Sequence, residues 1–62
     1  MNTYNHDANE GFYDFMIRVR KQIKEDNGLF CTVKFNGIYI EVSHDSNIND
    51  LGVIYDLKRK LL

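Results

Sequence analysis

The sequence predicts a small α+β fold of α-β-β-α order, in which two helices pack on one antiparallel hairpin. Three observations carry this reading. Apolar residues recur every three to four positions between Phe12 and Ile23, strict alternation takes over after Gly28, and helical spacing returns after Asn47. A single domain over residues 7–62 accounts for this pattern, and the polar stretch MNTYNH at residues 1–6 reads as a flexible N-terminus.

The first helix is expected over about 8–26. Phe12, Phe15, Met16, Val19 and Ile23 form one apolar stripe, and Arg18, Lys21, Lys24 and Glu25 mark the polar side. Asp7 with Glu10 three residues later fits a capping box, while Asn9 is a competing N-cap. Asn27-Gly28 supplies residues that tolerate the left-handed conformation ending a helix.

Strands are expected at 29–35 and 38–43. Asn-Gly between two alternating runs favours a two-residue turn with positive φ at both positions, which sets Phe35 opposite Ile38, Val33 opposite Ile40 and Cys31 opposite Val42. Leu29, Cys31, Val33, Phe35, Ile38, Ile40 and Val42 then share an apolar face, and Cys31 reads as a core residue. Phe30, Thr32, Lys34, Tyr39, Glu41 and Ser43 occupy the reverse face. The second helix is expected over about 47–61 with Ser46 as N-cap. Ile48, Leu51, Ile54, Tyr55, Leu57 and Leu61 are its apolar positions, with Asp50 in the first turn and Lys58, Arg59 and Lys60 in the last. Gly52 either allows close backbone approach or weakens the helix.

Sixty-two residues, 44% of them hydrophobic and 27% charged, can build only one small core. One cysteine and two histidines provide neither a disulfide nor a dedicated zinc site within one chain, so no cofactor or metal is expected. Chains of this size need another source of stability, and both hairpin strands are edges. Homodimerisation is therefore expected, either with equivalent edges pairing into a four-stranded sheet that carries four helices on its apolar face or through helix packing alone.

The formal charge of -1 implies no field for nucleic acid. No apolar run approaches the roughly 20 residues that span a bilayer. Asp7 and Glu10 stand where a signal peptide would carry basic residues, which points to a cytoplasmic protein without a membrane partner. His6-Asp7 and His44-Asp45 pair a base with a carboxylate, but each aspartate reads better as a turn or cap residue, and no catalytic residue is assigned. Arg18, Arg20, Lys21 and Lys24 form one basic cluster and Lys58, Arg59 and Lys60 another. They could contact phosphates if the two helix ends lay side by side, and otherwise they are solvated helix ends matched to the macrodipole. Phe30, Tyr39, Tyr13 and Ile17 exceed the needs of one small core. They are candidates for a protein interface, or else wrap around the core edge.

The segment CTVKFNGIYIEVSHDSNINDLGVIYDLKRKL, within residues 31–62, resembles small orphan proteins of tailed bacteriophages, in which a Phe-Asn-Gly-Ile hairpin runs through Asp-Ser into a final amphipathic helix. Asn36, Gly37, Asp45 and Ser46 carry the likeness, and they supply turn and cap chemistry, so no binding residue is transferred by it. The resemblance implies a non-enzymatic protein that binds and disables a host protein, commonly part of an antiviral defence system. Residue usage rich in Phe, Tyr, Ile, Asn and Lys is compatible with a phage of a low-GC host. The alternatives are a small nucleic-acid-binding or transcription-modulating protein using the basic helix ends, and a virion assembly accessory.

Overall fold

In a computed structural model, which describes residues 6–61, α1 (Phe12–Glu25), β1 (Phe30–Phe35), β2 (Ile38–Ser43) and α2 (Ile48–Lys60) follow in the expected α-β-β-α order. The hairpin has the expected register, with Phe35 opposite Ile38, Val33 opposite Ile40 and Cys31 opposite Val42. Asn36 at φ 50° and Gly37 at φ 82° give the turn positive φ at both central positions, the geometry whose twist matches that of the flanking strands.

Phe15, Met16, Val19 and Ile23 from α1 meet Val33, Phe35, Ile38, Ile40 and Val42 from the hairpin, and Leu51 from α2 completes the buried core. No polar or charged side chain is buried among the described residues. The helices run antiparallel. Phe12 stacks on Tyr55 with ring centroids 4.8 Å apart, and eight residues along α1 Arg20 Nη1 donates to Ser46 O at 3.0 Å, just before α2 begins. Around the hairpin turn Phe35 packs edge-on against both Phe12 and Tyr55, and Asn36 Nδ2 donates to Tyr55 Oη at 3.2 Å. One aromatic cluster thus ties the turn to both helices.

Several details differ from the sequence reading. α1 starts at Phe12 with Gly11 as N-cap and no side-chain cap. Asp7 and Glu10 do pair, through Glu10 N–H to Asp7 O at 3.0 Å and Asp7 N–H to Glu10 Oε1 at 3.3 Å, but they close a separate turn ahead of the helix. The reason is tertiary. His6 lays its ring on Phe15 and Phe35 and donates Nε2–H to Glu10 O, and Arg18 grips the Glu10 carboxylate, so this segment crosses the end of α1 instead of extending its axis. His6 is therefore part of the packed structure, whereas the rest of the stretch assigned to a flexible N-terminus, residues 1–5, lies outside the described residues.

α1 ends in a Schellman arrangement. Asn27 takes the left-handed conformation at φ 55°, Gly28 N–H donates to Ile23 O at 2.9 Å, and Asn27 N–H donates to Lys24 O at 3.2 Å. Leu29 lies outside the ladder and is 71% exposed, so it does not join the core face, although its carbonyl accepts from His44 N–H. Cys31 is only half-buried, and this partial burial raises its thiol pKa above the ordinary value.

The N-cap of α2 is Asn47, not Ser46. Asn47 Oδ1 accepts from the N–H groups of Asn49 at 2.9 Å and Asp50 at 3.2 Å. Ser46 is committed to the strand end, where Oγ accepts from Ser43 N–H at 2.8 Å and its own N–H donates to Ser43 O. The largest departure concerns the apolar side of α2. Leu51 is buried, and Ile48 and Tyr55 pack partly, whereas Ile54, Leu57 and Leu61 are exposed. A two-stranded hairpin is too narrow to bury the apolar sides of two helices. α1 contacts both strands, and α2 rests on β2 and α1.

Candidate protein-binding surface

Two stripes divide α2. Ile48, Leu51 and Tyr55 face inward, and Gly52 faces α1. A Cβ at Gly52 would stand 2.7 Å from Tyr13 Oη and 3.2 Å from the ring, so the glycine permits the close approach that was one of its two readings. By helical periodicity, Ile54, Leu57 and Leu61 fall on the flank turned away from Tyr13, with Val53 beside them on the outer surface. These four are exposed by 40%, 58%, 85% and 59% respectively. The stripe continues onto the hairpin, because Leu61 and Tyr39 line one largely apolar hollow of about 320 Å³ with Gly37, Ile38 and Lys58. Lys58 Nζ, at the rim, donates to Tyr39 O at 2.8 Å and joins the end of α2 to the edge of β2.

The four residues expected at an interface are thereby separated. Tyr39 joins the α2 stripe. Tyr13 and Ile17, one turn apart on α1, are both exposed, and Tyr13 borders Gly52 on the other flank of α2. Phe30, 61% exposed, shares the outer face of the hairpin with Tyr39. It lies at the opposite end, four residues along β1 from Lys34, the residue paired with Tyr39, or about 13 Å. Lys34 Nζ sits 5.6 Å from the centroid of the Tyr39 ring.

The sequence reading grouped Ile54, Leu57 and Leu61 with Ile48, Leu51 and Tyr55 as the apolar positions of this helix and left Val53 out. The available signal was width. Apolar residues at 48, 51 and 55 already complete one inward stripe, and those at 53, 54, 57 and 61 form another.

The basic residues do not converge. Because the helices are antiparallel, Lys21 and Lys24 lie toward the Gly28 and His44 end, while Lys58, Arg59 and Lys60 lie toward the hairpin turn. The side-by-side arrangement on which phosphate contact depended is absent among the described residues. Arg18 makes a two-pronged ion pair with Glu10, Nε to Oε2 at 2.8 Å and Nη2 to Oε1 at 2.9 Å, and lies over the Phe15 ring. This pairing holds the Glu10 carboxyl below its ordinary pKa and raises that of Arg18. Arg59 Nη2 bonds Asp56 Oδ1 at 2.8 Å.

His44 lines a shallow polar hollow with Lys24, Asn27 and Gly28. Among the described residues no three His, Cys, Asp or Glu side chains are grouped closely enough to hold a metal ion, and no helix is long and apolar enough to cross a membrane. Together the fold and its surface define a helix–hairpin–helix α+β protein with an uncovered apolar helix flank. No protein-family model matches the chain, and neither a curated protein nor a solved structure matches it.

Proposed function

We propose that this chain is a non-enzymatic phage protein that inhibits a bacterial antiviral defence system by direct protein contact, acting in the host cytoplasm. The observation that carries the proposal is the α2 stripe with Tyr39. Val53, Ile54, Leu57 and Leu61 are solvent-facing on a well-capped helix, and Tyr39 extends them across an apolar hollow. Contiguous exposed apolar surface of this kind marks interaction sites on soluble proteins, and a rigid helix flank is a common form of groove-binding element. The basic residues Lys58 and Lys60 on the same turn of α2 add a charged rim that suits an acidic margin on the target. The resemblance of the C-terminal half to small phage proteins supplies the biological setting.

The test is co-expression of the chain with a panel of cloned defence systems, followed by phage challenge and co-purification of the neutralised component. Leu57→Lys, at a 58% exposed position, is expected to keep the fold and to abolish both neutralisation and co-purification. If no system is neutralised, or if Leu57→Lys is as effective as the natural chain, the proposal is wrong.

A further inference from the structure

The two edges of the hairpin differ. In this register Phe35 with Ile38, Val33 with Ile40 and Cys31 with Val42 exchange the ladder hydrogen bonds, so the N–H and C=O groups of Phe30, Thr32 and Lys34 point away from β2. The corresponding edge of β2 is engaged at both ends. Lys58 Nζ takes Tyr39 O, and Ser46 takes both Ser43 N–H and Ser43 O. On β1 the Cys31 thiol approaches Thr32 O at 3.6 Å, a weak contact, and α2 does not cover that side.

We infer that β1 pairs antiparallel with β1 of a second copy of this chain, with the two-fold axis at Thr32. This register uses the whole segment 29–35. It sets Thr32 against Thr32, Phe30 against Lys34 and Leu29 against Phe35 of the other copy, and Cys31 against its Val33. Each pairing answers an exposure seen in the single chain. Leu29 lies 71% exposed in phase with the core face, Phe30 is 61% exposed on the outer face, and Cys31 is half-covered. On the outer face Lys34, already beside the Tyr39 ring, would lie between that ring and Phe30 of the second copy, and no like charges face each other between the two β1 strands. Centring the axis on Lys34 would instead oppose two ammonium groups.

The helix layer also fits a second copy. α1 contacts both strands of its own hairpin. The two copies of α1 therefore stand two strand spacings apart, about 9–10 Å, which is the ordinary distance between packed helices. The result is a four-stranded sheet with β2 strands outermost, Lys58 and Ser46 engaging the two ends of each outer edge. This inference does not depend on the proposed target, since it uses β1 and leaves the α2 stripe free.

The test is sedimentation of the full chain from micromolar to millimolar concentration, together with amide hydrogen exchange of the same samples. A reversible dimer of the 7.3 kDa chain is expected, with the Thr32 and Lys34 amides protected in step with dimer formation. Thr32→Lys places like charges across the axis on an exposed position. It should raise the monomer–dimer midpoint about tenfold or more without changing the helical circular dichroism, while Leu57→Lys should leave the dimer intact. A chain that stays monomeric overturns the inference. So does a dimer whose Thr32 and Lys34 amides exchange freely, or one that survives Thr32→Lys but dissociates with Leu57→Lys.

Discussion

Glu10 shows how a single residue can be recognised in the sequence and still be placed differently by the fold. Its spacing from Asp7 suggested a helix cap, and the reciprocal bond to Asp7 N–H does form, but the carboxylate is directed at Arg18, eight residues further along. The hydrogen bond from Arg18 holds the folded-state pKa of Glu10 below its ordinary value. A depressed carboxylate pKa contributes stability above the unfolded pKa of about 4.3, and that contribution is lost as pH falls through the folded value. Arg18 is half exposed, so solvent screening limits the pair to about 0.2–1 kcal/mol. Glu10→Gln should therefore be less stable than the natural chain by this amount near neutral pH, and the gap should close as pH drops below the ordinary carboxylate range. Urea denaturation of both proteins across a pH series measures it, and a gap that did not change with pH would contradict the assignment.

At the scale of elements, the hairpin and α2 behave differently. Every pair in the hairpin could be derived from Asn36-Gly37 and the alternation around it, because a two-residue turn allows one register and a slip by one residue would turn the apolar face to water. α2 was recognisable as a helix, but not which of its flanks is buried, because its apolar residues cover more than one stripe. The deciding contact is Gly52 against Tyr13, since the missing Cβ lets α1 approach that side. Gly52→Ala should be nearly neutral alone, because a helix-propensity gain of about 1 kcal/mol is offset by displacing the Tyr13 ring. In a Tyr13→Ala background the same change should stabilise by about 1 kcal/mol. Equal effects in both backgrounds, measured by thermal unfolding, would show that the contact is not what keeps glycine there.

For the whole molecule, the core is small and entirely apolar, and domains of this size have little stability in reserve. Val33 is 2% exposed at its centre. Val33→Asp buries an unpaired charge there and is expected to abolish cooperative unfolding by circular dichroism. Leu57→Lys, on the uncovered flank, should leave the unfolding midpoint within a few degrees of the natural chain. A folded Val33→Asp protein would mean that the hairpin face is not the core. The two surfaces left open, the α2 stripe and the β1 edge, share no residue. Target binding and self-association can therefore be lost separately.

Local chemistry alone was enough to determine the element order, the hairpin register and its turn, the left-handed stop after α1 and the stripe that α1 buries, since each depends on residues a few positions apart. Which side of α2 faces water, whether Ser46 or Asn47 caps it, where Glu10 spends its carboxylate and how far apart the basic helix ends lie were decided only when distant segments met. Two helices of ordinary diameter cannot both be centred on a sheet two strands wide. Packing α1 over the hairpin displaced α2 onto β2, and that displacement exposed the apolar flank on which the proposed function rests.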